Sequence, residues 1–277
     1  MRWLGILPFF LFTALFLIFP TLHIVIGAFR TPDGSFTLAN IASLNTPGII
    51  NAYLLSIRVS FFSALLGCLI GFGMAAAITF GGLPRQLRSP LLTFSGVASN
   101  FAGVPLAFAF IATLGPAGLI TVWLRTEFGV NLRAWGFNLL STQGLITTYL
   151  FFQIPLMILI ITPALEGLKQ EWREAASILG ATTAQYWRMV AFPILFPSLL
   201  GTMALLFANA FGAVATAIAL TGSTLNLAPI LLFAQIRGDV LGNPHLGYAL
   251  ALGMIVITGI ANTIYIVLRT RSERWIK

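Results

Sequence analysis

Six long apolar runs, each bounded by polar or turn-forming residues, dominate the chain: 3–28, 53–80, 90–114, 142–165, 193–221 and 246–268. Each reaches or exceeds the ~20 residues that a helix needs to cross about 30 Å of hydrocarbon. None contains Asp or Glu, and the single basic residue inside them is Arg58. Such runs predict membrane-spanning helices. Pro8, Pro20 and His23 interrupt the first run, and Pro105 and Pro155 lie within later ones. In a bundle, neighbouring helices and local backbone adjustment satisfy the groups a proline frees. The first run is too long for the core of a signal peptide and no small-x-small cleavage site follows, so a retained helix is expected. The expected fold is all-α: six transmembrane helices in one domain over residues 1–277, with no repeat, low-complexity tract or separating linker.

Composition sharpens this picture. Of 277 residues, 58% are hydrophobic and 8% charged, and the mean hydropathy is +0.96. Soluble domains carry about 25% charged residues, so a soluble enzyme and a disordered chain are both excluded. The net charge of +8 raises nucleic acid as a partner. Yet the basic residues stand at the ends of apolar runs, which suits a membrane–water boundary, and no nucleic acid is expected. Alternate loops share them unequally. One set holds Arg2, Arg85, Arg88, Lys169, Arg173, Arg188, Arg269, Arg271, Arg274 and Lys277; the other holds Arg30, Arg125, Arg133 and Arg237. Lys and Arg accumulate on the cytoplasmic side, so both termini are expected there. The outer loops include two turn-rich stretches, Thr31-Pro32-Asp33-Gly34 and residues 238–244. The lone Cys68 excludes an internal disulfide or cysteine cluster and is expected to pack as a small apolar side chain.

Few side chains within the spans carry chemistry. Arg58 either snorkels or caps carbonyls near the outer boundary, or touches a solute or a partner subunit. His23 has no acidic partner in any span and reads as structural. Gly67-x3-Gly71 permits close helix contact. Asn100, Gln153 and Asn209 bond between helices or line a translocation path. There is no Ser/His/Asp set, metal-ligand spacing or intramembrane carboxylate pair, so no catalytic residue, metal or cofactor is expected. An ion-coupled carrier or channel calls for ionisable groups or broken-helix ion sites within the spans, which the lone Arg58 does not supply.

The most informative segment joins the fourth and fifth runs. Helix-forming residues run through 168–179 to Gly180, a helix stop, and a second helical stretch over 183–191 leads to Pro193. Two readings stand: an amphipathic connector anchored by Trp172, Tyr186 and Trp187 in the headgroups, or a protrusion whose small Ala175, Ala176 and Gly180 admit another protein's surface. The pattern Glu174-Ala175-Ala176, three residues, Gly180, nine residues, Val190-Ala191-Phe192-Pro193 resembles the EAA loop of ABC importer permeases. The spacing matches throughout, with Val190 and Phe192 as apolar departures, and Leu179-Gly180-Ala181, Tyr186-Trp187-Arg188 and Pro197 agree with it. The resemblance extends over about 51–268.

The resemblance implies a transport subunit, not an enzyme, in a bacterial inner membrane. It implies a short cytoplasmic coupling helix between spans four and five, docked on a dimer of separate ATPase subunits. Glu174 would then pair with a basic residue of the ATPase, Ala175 and Ala176 would allow close packing, Gly180 would turn the chain, and Pro193 would close the motif. A second permease subunit, expected to be a paralogous partner, and an extracytoplasmic substrate-binding protein complete such assemblies. The chain lacks Gly-x4-Gly-Lys-[Ser/Thr], hence any phosphate cradle of its own. The six-span layout, the early first span and the stretch 227–237 resemble the spermidine/putrescine-type permeases and their relatives for aminoethylphosphonate, iron or thiamine. A polyamine-like solute is therefore the first expectation, and an anionic or chelated solute the second. Arg58, Asn100, Gln153 and Asn209 are the candidate pathway residues.

Overall fold

The computed structural model describes residues 6–222, 224–237 and 244–273. Of the expected outer turn at 238–244, all but the last residue lies outside these, as do Arg2, Arg274 and Lys277. Twelve helices can be traced in the described residues: α1 (Leu7–Ala28), α2 (Ala39–Ala42), α3 (Pro47–Phe80), α4 (Arg85–Asn100), α5 (Gly103–Leu114), α6 (Leu119–Phe128), α7 (Thr142–Glu166), α8 (Gln170–Ile178), α9 (Thr183–Phe211), α10 (Val214–Thr221), α11 (Ala228–Arg237) and α12 (Pro244–Glu273). No strand occurs among these residues; an isolated bridge between Arg30 and Phe36 closes the turn after α1, in which Gly34 takes φ +82°. Six stretches are long and apolar enough to span a membrane: Leu7–Ala28, Pro47–Phe80, Gly103–Phe128, Thr142–Glu166, Thr183–Phe211 and His245–Thr270.

Two of the sequence boundaries move, for local reasons. The expected third run, 90–114, is divided: α4 ends at Asn100, Phe101 and Ala102 are extended, and Gly103 at φ +75° opens α5. Pro105 then falls in the first turn of α5, where its missing N–H costs no helical bond. The expected fifth run, 193–221, starts too late and ends too late. Pro193 does not open this helix, because α9 already begins at Thr183 and reaches Phe211 before a break at Gly212–Ala213. What lets α9 pass through Pro193 is a π-turn over Trp187–Ala191, in which the Phe192 N–H donates to the Trp187 carbonyl. The extra residue in the turn relieves the clash that a proline ring makes with the preceding turn. A second π-turn, Ala14–Ile18, precedes Pro20 in the same way.

The chain divides into two compact units, 1–56 with 226–257, and 57–225 with 258–277. In the first, α1 touches α12 where Gly27 meets the Tyr248 ring, while Tyr53 donates to the Leu250 carbonyl at 2.6 Å. His23 stacks edge-on against Tyr248 at 5.7 Å.

The second unit holds the main core. Ala64, Cys68, Ala75 and Ile78 of α3 pack with Met157, Ile158, Ile161 and Leu165 of α7 and Leu195 and Leu206 of α9. Cys68 is buried there as a small apolar group. Glycines set the helix spacing: a Cβ on Gly67 would stand 2.8 Å from the Gln153 Cβ, and one on Gly71 2.6 Å from the Met157 Cβ. The Gly67-x3-Gly71 pair is thus the contact face of α3 on α7, where close backbone approach adds dispersion that lipid tails do not supply. At one end of α7, Glu166 pairs with Arg88 of α4.

Candidate functional site

The segment after α7 builds itself from short-range signals. α8 runs Gln170–Ile178 and ends in a Schellman motif: the Ala181 N–H donates to the Ala176 carbonyl at 3.0 Å, and the Gly180 N–H to the Ser177 carbonyl at 3.0 Å. Gly180 takes φ +77°, a left-handed conformation that a side chain disfavours, while open space surrounds its Cα. Its requirement is therefore conformational and not one of intramolecular crowding. Two residues on, Thr182 caps α9 in a reciprocal box: the Gln185 N–H donates to Thr182 Oγ1 at 3.3 Å, and the Thr182 N–H to Gln185 Oε1 at 2.7 Å. Glu174 is exposed and accepts from Gln170 Nε2 at 2.8 Å. Ala175 is exposed and Ala176 half-buried on the same helix, and Pro193 lies exposed just beyond the π-turn of α9.

One feature escaped the sequence reading. Ile178 and Leu179, at the apex between α8 and the Gly180 turn, are 85% and 86% exposed. Met189 is 73% exposed on the following helix. Large apolar side chains this bare beside charged residues form an exposed apolar patch, the kind of surface that a protein partner or a membrane covers. Their position next to a glycine stop was the available signal, but a Leu beside a helix end has no periodic neighbour to reveal which way it faces.

Beneath α8 lies a cavity of about 590 Å³. Its lining includes Lys169, Arg173 and Glu174 together with Phe80, Tyr186 and Trp187. Phe80 meets Trp187 edge-on at 5.6 Å, and Lys169 Nζ stands 5.9 Å from the Trp172 ring centroid.

The four candidate pathway residues sort by burial. Gln153 is fully buried: Nε2 donates to the Leu206 carbonyl at 3.1 Å and approaches Ser63 Oγ at 3.4 Å, and Oε1 has no protein partner. It ties α7 to α3 and α9. Arg58, Asn100 and Asn209 are exposed, and no hydrogen bond joins any two of the four. Asn100 Nδ2 donates to the Gly96 carbonyl at 2.9 Å in the last turn of α4. Asn100 and Asn209 each sit just before a helix break, and the two breaks are tied together. The Gly103 N–H, at the start of α5, donates to Thr216 Oγ1 of α10 at 2.7 Å, and Tyr149 donates to the Ala213 carbonyl at 3.0 Å. Among the described residues no group of three His, Cys, Asp or Glu side chains gathers to hold a metal.

A model of the family described as "Binding-protein-dependent transport system inner membrane component" matches residues 67–277. A probable sulfate transport system permease protein of Chlorella vulgaris is 28% identical over 60% of this chain and 59% of its own length. A putative 2-aminoethylphosphonate transport system permease protein of Salmonella choleraesuis is 29% identical over 84% of this chain and 80% of its own. Among solved structures, a chain of a bacterial ABC transporter involved in import of the acidic polysaccharide alginate superposes with a TM-score of 0.72 at 17% identity, covering 100% of this chain and 96% of that one. The fold is thus shared at low identity.

Proposed function

The protein belongs to the binding-protein-dependent transport system inner membrane component family, the permeases of ABC importers, and from that premise we propose that it forms half of a translocation pathway opened and closed by separate ATPase subunits. The observation that carries the coupling part is the protrusion: α8, its Schellman stop at Gly180 and the bare Ile178 and Leu179 present a preorganised apolar tip. Preorganisation matters because a docking helix already folded loses little conformational freedom on binding. Ile178 and Leu179 enter a groove of the ATPase, Ala175 and Ala176 let its surface come close, and Glu174 meets a basic side chain there. Pro193 and the π-turn transmit the movement of this tip into α9. A second permease subunit supplies the other half of the pathway, and an extracytoplasmic binding protein delivers the solute. Both termini, and this loop, lie on the cytoplasmic side of a bacterial inner membrane.

Within the pathway, the paired breaks carry the polar chemistry. Broken spans expose backbone groups where they line a cavity, and Asn100 and Asn209 add neutral amides beside them, with Arg58 nearer the start of α3. Gln153, being buried, holds the helices in register. None of the six apolar runs carries a carboxylate, which favours an anionic solute over a polyamine cation. The sulfate and aminoethylphosphonate relatives point the same way, and they lend no support to the polyamine expectation.

Three measurements test this reading. Tagged protein should carry an ATPase subunit through purification, and Ala175→Tyr should release it without lowering the amount in the membrane; retention by that variant overturns the docking assignment. Single cysteines should be labelled from outside at Asp33 and only from inside at Gln170; outside labelling at Gln170 removes the topology. Uptake of labelled sulfate or 2-aminoethylphosphonate that falls with Arg58→Gln supports the anionic solute, whereas putrescine uptake indifferent to that change overturns it.

A further inference from the structure

We propose that the cavity beneath α8 binds the phosphate of an anionic membrane phospholipid, with Lys169 and Arg173 holding the headgroup and Phe80, Tyr186 and Trp187 receiving its glycerol and upper acyl carbons. Phe80 is the last residue of one apolar stretch, Lys169 follows the end of another, and Tyr186 and Trp187 lie in the opening turns of a third. The cavity therefore sits at the depth where three spans leave the hydrocarbon, the level at which Trp and Tyr settle and phosphates lie.

Among the described residues neither Lys169 nor Arg173 forms an ion pair, although Glu174 lines the same cavity. Glu174 is instead engaged by Gln170. Two cations without a carboxylate partner line the same cavity as edge-to-face aromatic rings, a surface that is half anion-binding and half apolar. A free phosphate would satisfy the cations and leave the aromatic half wet. A lipid headgroup with its attached carbons covers both, and about 590 Å³ holds it. An acidic side chain of the ATPase is less suited, because the apolar tip residues Ile178 and Leu179 do not line this cavity. An occupied cavity would brace α8 against the ends of α3 and α9, so that anionic lipid sets the rigidity of the docking helix.

This inference rests on the reading that the loop lies at the cytoplasmic membrane face and docks an ATPase. The test therefore records ATPase retention and lipid retention separately on the same purified complex. Native mass spectrometry of the complex, exchanged into phosphatidylglycerol or phosphatidylcholine, counts lipids that survive purification. Phosphatidylglycerol retention should fall about fivefold for each of Lys169→Gln and Arg173→Gln, as for one basic residue at an anionic surface, while Arg173→Lys restores it. Phosphatidylcholine retention should not respond to any of them. Should Arg173→Gln fail to assemble, Lys169→Gln alone decides. Equal phosphatidylglycerol retention in variant and wild type overturns the proposal, as does displacement of the lipid by excess inorganic phosphate, which would mark a soluble-anion site. Loss of the ATPase with lipid retention unchanged also overturns it and assigns the cavity to the protein interface. Absence of an ATPase from the wild-type complex, with the lipid pattern intact, counts against the docking reading alone.

Discussion

The contact of α3 with α7 and the α8 protrusion belong to the same compact unit, yet they are held together by opposite means. Along α3 and α7 there is no room to spare: Gly67 and Gly71 bring two backbones so close that Gln153 and Met157 fill the space a Cβ would need. That region is stable through long-range packing. In the protrusion nothing crowds Gly180, and its bonds run between residues three to five apart. Stability there is local, and the apolar residues it presents remain uncovered. A membrane body has to be defined by steric fit, because lipid competes equally for apolar surface. A docking element has to hold its own shape and leave its best contact surface free.

Substitutions should separate the two regions. Gly71→Leu should have the largest effect: an added side chain meets Met157 Cβ and the Ile154 carbonyl, and overpacking of about 3 kcal/mol or more is expected. Its thermal unfolding in detergent should shift sharply downward, and a normal melting curve would mean that the α3–α7 contact is looser than its geometry. Ile178→Glu with Leu179→Glu should do the reverse. Burying two charges where an apolar anchor belongs removes a contact worth on the order of 2 kcal/mol or more, so ATPase co-purification should drop at least about thirtyfold with the melting curve unchanged.

Smaller effects refine the contrast. Gly180→Leu forces a branched side chain into a left-handed conformation at about 1–2 kcal/mol. It should fray the end of α8, visible as faster amide exchange over 175–181, and uncouple transport while the membrane body keeps its stability. Gln153→Met is expected to be the mildest, within about 1 kcal/mol, because the orphaned Oε1 offsets what the Leu206 bond contributes. A large loss of stability there would show that Oε1 takes a partner in the membrane.

Legibility in the sequence followed the same division. Gly180 as a stop and Glu174-Ala175-Ala176 on a helix were readable because a Schellman turn and its helix are decided by residues within one or two turns. The helical stretch from Thr183 was readable too, but its Thr182–Gln185 capping box went unread, and so did its continuation through Pro193 into one long α9. Pro193 misled for a related reason: a proline is a reliable helix break only when nothing upstream adjusts, and the π-turn at Trp187–Ala191 made that adjustment. Asn100, Gln153 and Asn209 looked alike as polar residues inside apolar runs. Their separation into one buried tie and two exposed amides depends on which helix face meets α7, and a nearly uniform apolar run carries no periodicity that records the face.

The sequence by itself determined that this chain lives in a membrane, that it has six apolar stretches, and that a glycine-stopped helix of the EAA type interrupts them. Those properties are set by run length, charge content and neighbours a few residues away. Only the tertiary structure decided where α4 gives way to α5 and α9 to α10, that the two breaks are tied through Gly103 and Thr216, that Gly67 and Gly71 serve α7, and that Ile178 and Leu179 stand bare. The tie between the breaks and the contact of α3 with α7 depend on partners 113 and 90 residues distant in the chain, and the bareness of Ile178 and Leu179 on the lack of any such partner. In lipid the hydrophobic contrast that would announce such partners in a soluble protein is absent, so shape alone selects them.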